Sequence, residues 1–139
     1  MTGAPIAWEP GTELPELALP PISRYTLSLF AGASGDHNPI HIDLDFARSA
    51  GRDDVFAHGM LSMAYVGRLL TAVVPIEAIR SYSVRFASIT PVHAQLTCRG
   101  RILSVDTADG EQRARLQLEG RLQDGTVTVR GEAVVALPA

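Results

Sequence analysis

Two hydrophobic periods divide this chain, and they meet at Pro75. Upstream, apolar residues recur at helical spacing; downstream they alternate, as in strands with one buried face. Ser23 is a good N-cap for a helix through Tyr25, Leu27, Leu29, Phe30 and Ala31, which Gly32 and Gly35 end. Asp43 can cap a second, short helix through Phe46 and Ala47, closed by Gly51. From Gly59 to Val74 only Ser62, Arg68 and Thr71 are clearly polar. That pattern predicts a long helix buried on most sides, with Met60 and Met63 in the core and Pro75 as its stop.

Beyond Pro75 the alternating series are Tyr82, Val84 and Phe86, then Leu96, Cys98, Gly100 and Ile102. Leu116, Leu118, Gly120 and Leu122 follow, and Val127, Val129, Gly131, Ala133 and Val135 finish the chain. Asp109-Gly110 and Asp124-Gly125 supply hairpin turns, so the strands are antiparallel. Helices first and consecutive strands after predict an α+β fold, an antiparallel sheet against one long helix. Residues 1–22 are rich in proline, with a turn at Pro10-Gly11. Leu14, Leu17 and Leu19 fit a short extended segment lying on the body of the fold, and Trp8 is expected to pack in the core.

At 139 residues, 46% apolar and 19% charged, the chain is expected to form one domain over residues 1–139 with a proper core. The net charge of −3, without a basic run, argues against nucleic acid as a partner. All twelve basic residues are arginines, which excludes a Schiff-base lysine. A single cysteine, Cys98, excludes an internal disulfide and a thiolate metal cage. No apolar run is long enough to span a bilayer. The start, Met1-Thr2-Gly3-Ala4-Pro5, lacks the basic and apolar pattern of a signal peptide, so the expected location is cytoplasmic.

The chemistry concentrates in Ala33-Ser34-Gly35-Asp36-His37-Asn38-Pro39-Ile40-His41-Ile42-Asp43. Pro39 fixes its own φ and pushes Asn38 towards an extended conformation, so a turn falls between Asp36 and His41. The two side chains can then converge, and a carboxylate with an imidazole on one water is a common acid–base pair. The competing reading makes Asp36 an Asx turn, Asn38 its support and His41 a satisfied buried histidine. A second stretch, Phe56-Ala57-His58-Gly59-Met60-Leu61-Ser62, opens the long helix. The N–H of Gly59 would be unobstructed at the positive end of the helix dipole, a place for a developing oxyanion. A close helix–sheet contact would equally account for that glycine.

Ser34-Gly35-Asp36-His37-Asn38-Pro39-Ile40-His41, followed by Ala57-His58-Gly59-Met60-Leu61, resembles the MaoC-like (R)-specific enoyl-CoA hydratase / 3-hydroxyacyl-thioester dehydratase family. Phe30-Ala31-Gly32, Asp43, Phe46-Ala47-Arg48, Val84-Arg85-Phe86 and Pro91 extend the likeness over roughly residues 23–100. The chain is similar to the single-domain subunits of actinobacterial type II fatty-acid synthesis and of steroid or lipid degradation. The resemblance implies a hot-dog fold, its sheet wrapped around the long helix. It also implies reversible syn addition of water to a trans-2-enoyl thioester carried on CoA or acyl carrier protein. Asp36 and His41 would hold the water, and Gly59 would donate its N–H to the thioester oxygen. Asn38 would orient the loop or the water, with a pure turn role as its alternative. Ser62 would touch substrate or dyad, although solvation on the helix surface is slightly preferred for it. No metal or other cofactor is implied, and a second hot-dog subunit, identical or different, is.

His37 and His93 are expected to be solvated, and His58 to order the turn before Gly59. Arg85 could meet substrate phosphates but is better read as part of a solvated strand face. Met60 or Met63 could line an acyl pocket instead of the core. Zinc on Asp36, His37, His41 and His58 is a first alternative, although the spacing matches no zincin signature. A hot-dog thioesterase is a second, and a non-catalytic acyl-binding subunit of a heteromeric dehydratase is a third.

Overall fold

The computed structural model describes residues 5–138; the expectation for the chain's start falls on Met1–Ala4, outside the described residues. Helix α1 (Arg24–Ser34) begins at Ser23, whose hydroxyl accepts the Thr26 N–H at 3.0 Å. It ends at Gly35, whose φ of 75° is the left-handed cap that favours glycine. Helix α2 (Leu44–Ser49) is capped by Asp43, which accepts the Phe46 N–H. Helix α3 (Gly59–Thr71) stops a few residues before Pro75, because Ala72–Val74 already turn away from it.

The sheet holds β1 (Leu17–Ala18), β2 (Ile79–Phe86), β3 (Leu96–Ala108), β4 (Glu111–Leu122) and β5 (Val127–Ala136). Its order is β1-β3-β4-β5-β2, antiparallel throughout. The β3–β4 hairpin turns on Asp109 and Gly110, both at positive φ, as a two-residue turn of the primed kind requires. The proline-rich arm runs along β3: Gly11 donates to Ile102, Leu14 to Gly100 and Leu19 to Leu96. That arm covers the β3 edge, whereas β2 at the other end of the sheet has no neighbour on its outer side among the described residues.

One face of α3 lies in the curve of the sheet. Val66, Leu69 and Leu70 are fully buried with Leu96, Ile102, Leu116, Val129, Ala133 and Val135, and Trp8 packs partly buried against this core. The Tyr82 hydroxyl ties β2 to the helix by donating to the Met63 carbonyl at 2.6 Å. This is the hot-dog arrangement. The helix is less enclosed than its composition predicts: Met60 is 54% exposed, and Ala64, Arg68 and Thr71 continue an open stripe at helical spacing. Met60 is therefore not a core residue. A second apolar cluster, with Ile22, Leu27, Ala47, Val55, Ala57 and Leu61, packs α1 and α2 against the start of α3. The segments that carry the candidate chemistry rest on it.

Candidate active site

The left-handed turn at Gly35 delivers the chain into Asp36, whose N–H donates to the Ser34 hydroxyl at 3.2 Å. Asp36 Oδ1 accepts the Asn38 N–H at 3.2 Å, and Asn38 Oδ1 accepts the Ile40 N–H at 3.1 Å. These two Asx-type bonds, with Pro39 in the first position, wind a single 3-10 turn over Pro39–His41. The Asx turn expected as the competing reading is thus present, and Asn38 has a turn-shaping role. The bond from Asn38 occupies only one oxygen of the Asp36 carboxylate, and Asp36 stays exposed.

The turn points His41 inward, leaving it 8% exposed, and its Nδ1 lies 2.7 Å from the Phe56 carbonyl oxygen. A carbonyl only accepts, so in the neutral ring Nδ1 carries the proton and Nε2 is free to take one. His58 lies beneath, 1% exposed, its ring stacked on His41 at 4.0 Å between centroids with 29° between planes. Its Nε2 lies 3.2 Å from the main-chain oxygen of Asp36. Burial and the neighbouring His41 both hold the His58 imidazole below its ordinary pKa, so the stack disfavours a charge on this ring. One polar atom each from Asp36, His41 and His58 lie within 4.8 Å of one another. A carboxylate and an imidazole that close can act on one shared water.

The same three residues are the only group among those described that could offer a metal three ligands. The ring geometry fits a metal poorly. His41 Nδ1 and His58 Nε2 face main-chain carbonyls, which leaves His41 Nε2 and His58 Nδ1 as the nitrogens that would have to ligate. A bound ion sits in the plane of each imidazole that ligates it, and the planes of stacked rings do not converge near their nitrogens. His37, the fourth residue of the zinc alternative, is exposed outside the group, and His93 is exposed as well.

Gly59 follows His58 directly and is the first residue of α3. Its N–H has no acceptor within the helix, and His58 provides no side-chain cap. Gly59 lines a cleft of about 410 Å³ together with Ser62, Phe86, Ile89, Thr90 and Thr128. A Cβ at Gly59 would come within 3.2 Å of the Phe86 ring, so the close helix–sheet contact is real too. Ser62 is 2% exposed and shares a 3.3 Å hydrogen bond with the Thr90 hydroxyl, so the preference for a solvated Ser62 is corrected. Helical spacing places Ser62 one turn from Gly59, but only the packing of Thr90 beside it settles which way it faces. Arg85 is exposed opposite Arg130 on the strand face and does not line this cleft.

Sequence reasoning undervalues His58, Thr90 and Thr128. An isolated His or Thr gives no sign of its burial; the spacing that sets His58 one residue before Gly59 is the one available signal. Cys98 takes no part: it is buried in the main core, and burial pushes its thiol up to about 12.

Residues 8–123 match the MaoC-like domain family. The chain is 28% identical to 3-hydroxyacyl-thioester dehydratase Z of Mycobacterium tuberculosis, over 85% of its own length and 78% of that protein. It superposes with a TM-score of 0.82 on an (R)-hydratase from A. caviae involved in PHA biosynthesis, at 27% identity, covering 94% of this chain and 97% of that one. The fold is shared with a chain of the ChsH1-ChsH2 complex of M. tuberculosis, at a TM-score of 0.79 and 22% identity over 92% and 97% of the two chains. Some relatives are longer: the chain spans 63% of a mitochondrial 3-hydroxyacyl-[acyl-carrier-protein] dehydratase of Solanum lycopersicum and 5% of the Saccharomyces cerevisiae fatty acid synthase subunit beta. With a match over most of its length, and with the loop and helix start that carry the likeness folded onto one site, the chain belongs to the MaoC-like domain family.

Proposed function

We propose that this chain is an (R)-specific enoyl-thioester hydratase / 3-hydroxyacyl-thioester dehydratase, working as one hot-dog domain. The observation that carries the reading is the meeting of Asp36 and His41, with polar atoms within 4.8 Å of each other, on the ring of His58, the residue directly before Gly59. A trans-2-enoyl thioester would lie in the cleft with its carbonyl oxygen at the Gly59 N–H. Asp36 accepts one proton of a shared water while His41 Nε2 orients it. The water oxygen bonds to C3, the C2–C3 π pair moves towards the thioester oxygen, and Gly59 stabilises the enolate charge. The abstracted proton then goes to C2 on the same face, giving syn addition; dehydration runs the steps in reverse. Ser62 closes the cleft beside Gly59, and Asn38 holds the loop that presents Asp36.

Pure protein is expected to hydrate at least one member of a panel of trans-2-enoyl-CoA thioesters graded by acyl size, read as loss of the conjugated enoyl absorbance. Release of free CoA thiol without hydration would establish the thioesterase instead. Neither reaction, from folded protein in its native assembly, would leave an acyl-binding subunit.

The same proposal includes a hot-dog partner, identical or different. The unpaired β2 edge and the exposed Phe86 and Ile89 beside the cleft support it, because an open edge strand next to apolar surface favours association. Sedimentation is expected to show a dimer. A fully active monomer would remove the partner, and a lone chain that is inactive until another hot-dog subunit is added would make the partner a different one. A cytoplasmic location belongs to this proposal; among the described residues no helix is long and apolar enough to cross a membrane.

A further inference from the structure

We propose that His58 is a positioning residue of this site: fixed as its Nε2–H tautomer, it ties the main chain of Asp36 to the floor beneath His41 and so keeps the two proton-handling groups in register. The inference rests on the hydratase reading for its kinetic consequence, but the tautomer and the tie are properties of the chain alone.

The tautomer follows from partners. His58 Nε2 faces the Asp36 carbonyl oxygen at 3.2 Å, and an oxygen there needs a donor. His58 Nδ1 is buried with no protein partner. Placing the single proton on Nδ1 would strand a buried donor and turn the Nε2 lone pair against the carbonyl oxygen. Either fault costs about 1–3 kcal/mol. A second proton would strand that donor as well, and would add a charge 4.0 Å from the His41 ring. Three groups from separate segments surround the ring: Asp36 from the loop after α1, His41 from the 3-10 turn, and Phe30 of α1, edge-on at 5.0 Å. Of these only Asp36 favours a charged His58. Burial and His41 oppose it, and together they outweigh Asp36, since the imidazole lies below its ordinary pKa.

The consequence for chemistry comes from what would move without the tie. Asp36 is exposed, and its remaining bonds, to Ser34 and Asn38, are local to its own loop. The bond from His58 is the one that fixes this loop to the helix start carrying Gly59. Through His58, acid–base pair and oxyanion donor share one support. A misplacement of about 1 Å at such a pair can cost 10²-fold in rate.

Glutamine and asparagine separate this role from plain packing. A glutamine amide nitrogen sits near the imidazole Nε2 position, whereas an asparagine amide nitrogen sits near Nδ1. His58→Asn is expected to lower kcat for an accepted enoyl-CoA by about 10²-fold with KM little changed, and His58→Gln to recover most of that loss. Equal rates in the two folded variants, high or low, would overturn the positioning role. In the unliganded parent protein, nitrogen-15 spectra of the imidazoles are expected to show His58 with its proton on Nε2. They are also expected to show its uptake of a second proton displaced below that of an ordinary imidazole. A proton on Nδ1, or ordinary titration, would overturn the proposal even if both variants failed to fold. A parent protein that hydrates no enoyl-CoA would instead defeat the functional reading, while the spectra would still decide the tautomer and the tie.

Discussion

Asp36→Asn and His41→Ala are each expected to lower hydration of an accepted enoyl-CoA by about 10²–10⁴, and the double variant to be little worse than the poorer single one. Both groups would act on one water in one transition state, and groups that act as a unit do not lose their contributions additively. The structure refines the choice of variants. An asparagine in place of Asp36 would keep an Oδ1 to accept the Asn38 N–H, so Asp36→Asn removes the base while leaving the Asx turn intact. His41→Ala also empties a buried site and strands the Phe56 carbonyl, at a cost of about 1–3 kcal/mol. Its rate is therefore best measured well below its melting temperature, which is expected to fall by several degrees. Near-parental rates in either folded single variant would defeat the acid–base assignment and leave the loop as a turn. Losses that multiply in the double variant would separate the two groups into independent roles.

Local signals in the sequence suffice wherever the deciding interaction spans only a few residues. The Ser23 and Asp43 caps, the left-handed end of α1 and the Asp109-Gly110 hairpin all form as their residue types require. The same holds for the turn between Asp36 and His41, which Asp36, Asn38 and Pro39 build from side-chain bonds spanning two residues and main-chain bonds spanning three. What is not legible needs a distant partner. His58 owes its burial to a ring stacked on it from the 3-10 turn and to a carbonyl from the loop after α1. Ser62 owes its burial to Thr90, which comes from the segment after β2. Met60 misleads in the opposite sense, because an apolar side chain at a helix start reads as core whether or not another element covers it. The uncovered side of α3 begins at that residue. Composition thus indicates how apolar the helix is but not where the sheet stops wrapping it.

Gly59→Val is expected to lower kcat by about 10²–10³, the range for losing one oxyanion donor, with a melting temperature near that of the parent. Two features of the site make this substitution informative. The helix itself does not object, since Gly59 has no left-handed φ and valine is a better helix residue than glycine. The objection comes from the front: the first added carbon would meet the Phe86 ring at 3.2–3.3 Å, and the valine methyl groups would extend into the cleft where the thioester oxygen is placed. Phe86 is 50% exposed and can swing outward, so the fold can absorb the contact while the cleft beside the N–H narrows. Gly59→Ala, which asks Phe86 to give by only a few tenths of an ångström, is expected to fall between parent and valine. A graded loss in kcat with intact melting would place the thioester oxygen at the helix start. Unchanged turnover in folded Gly59→Val would assign the glycine to the Phe86 contact alone, and the developing charge would then need another donor.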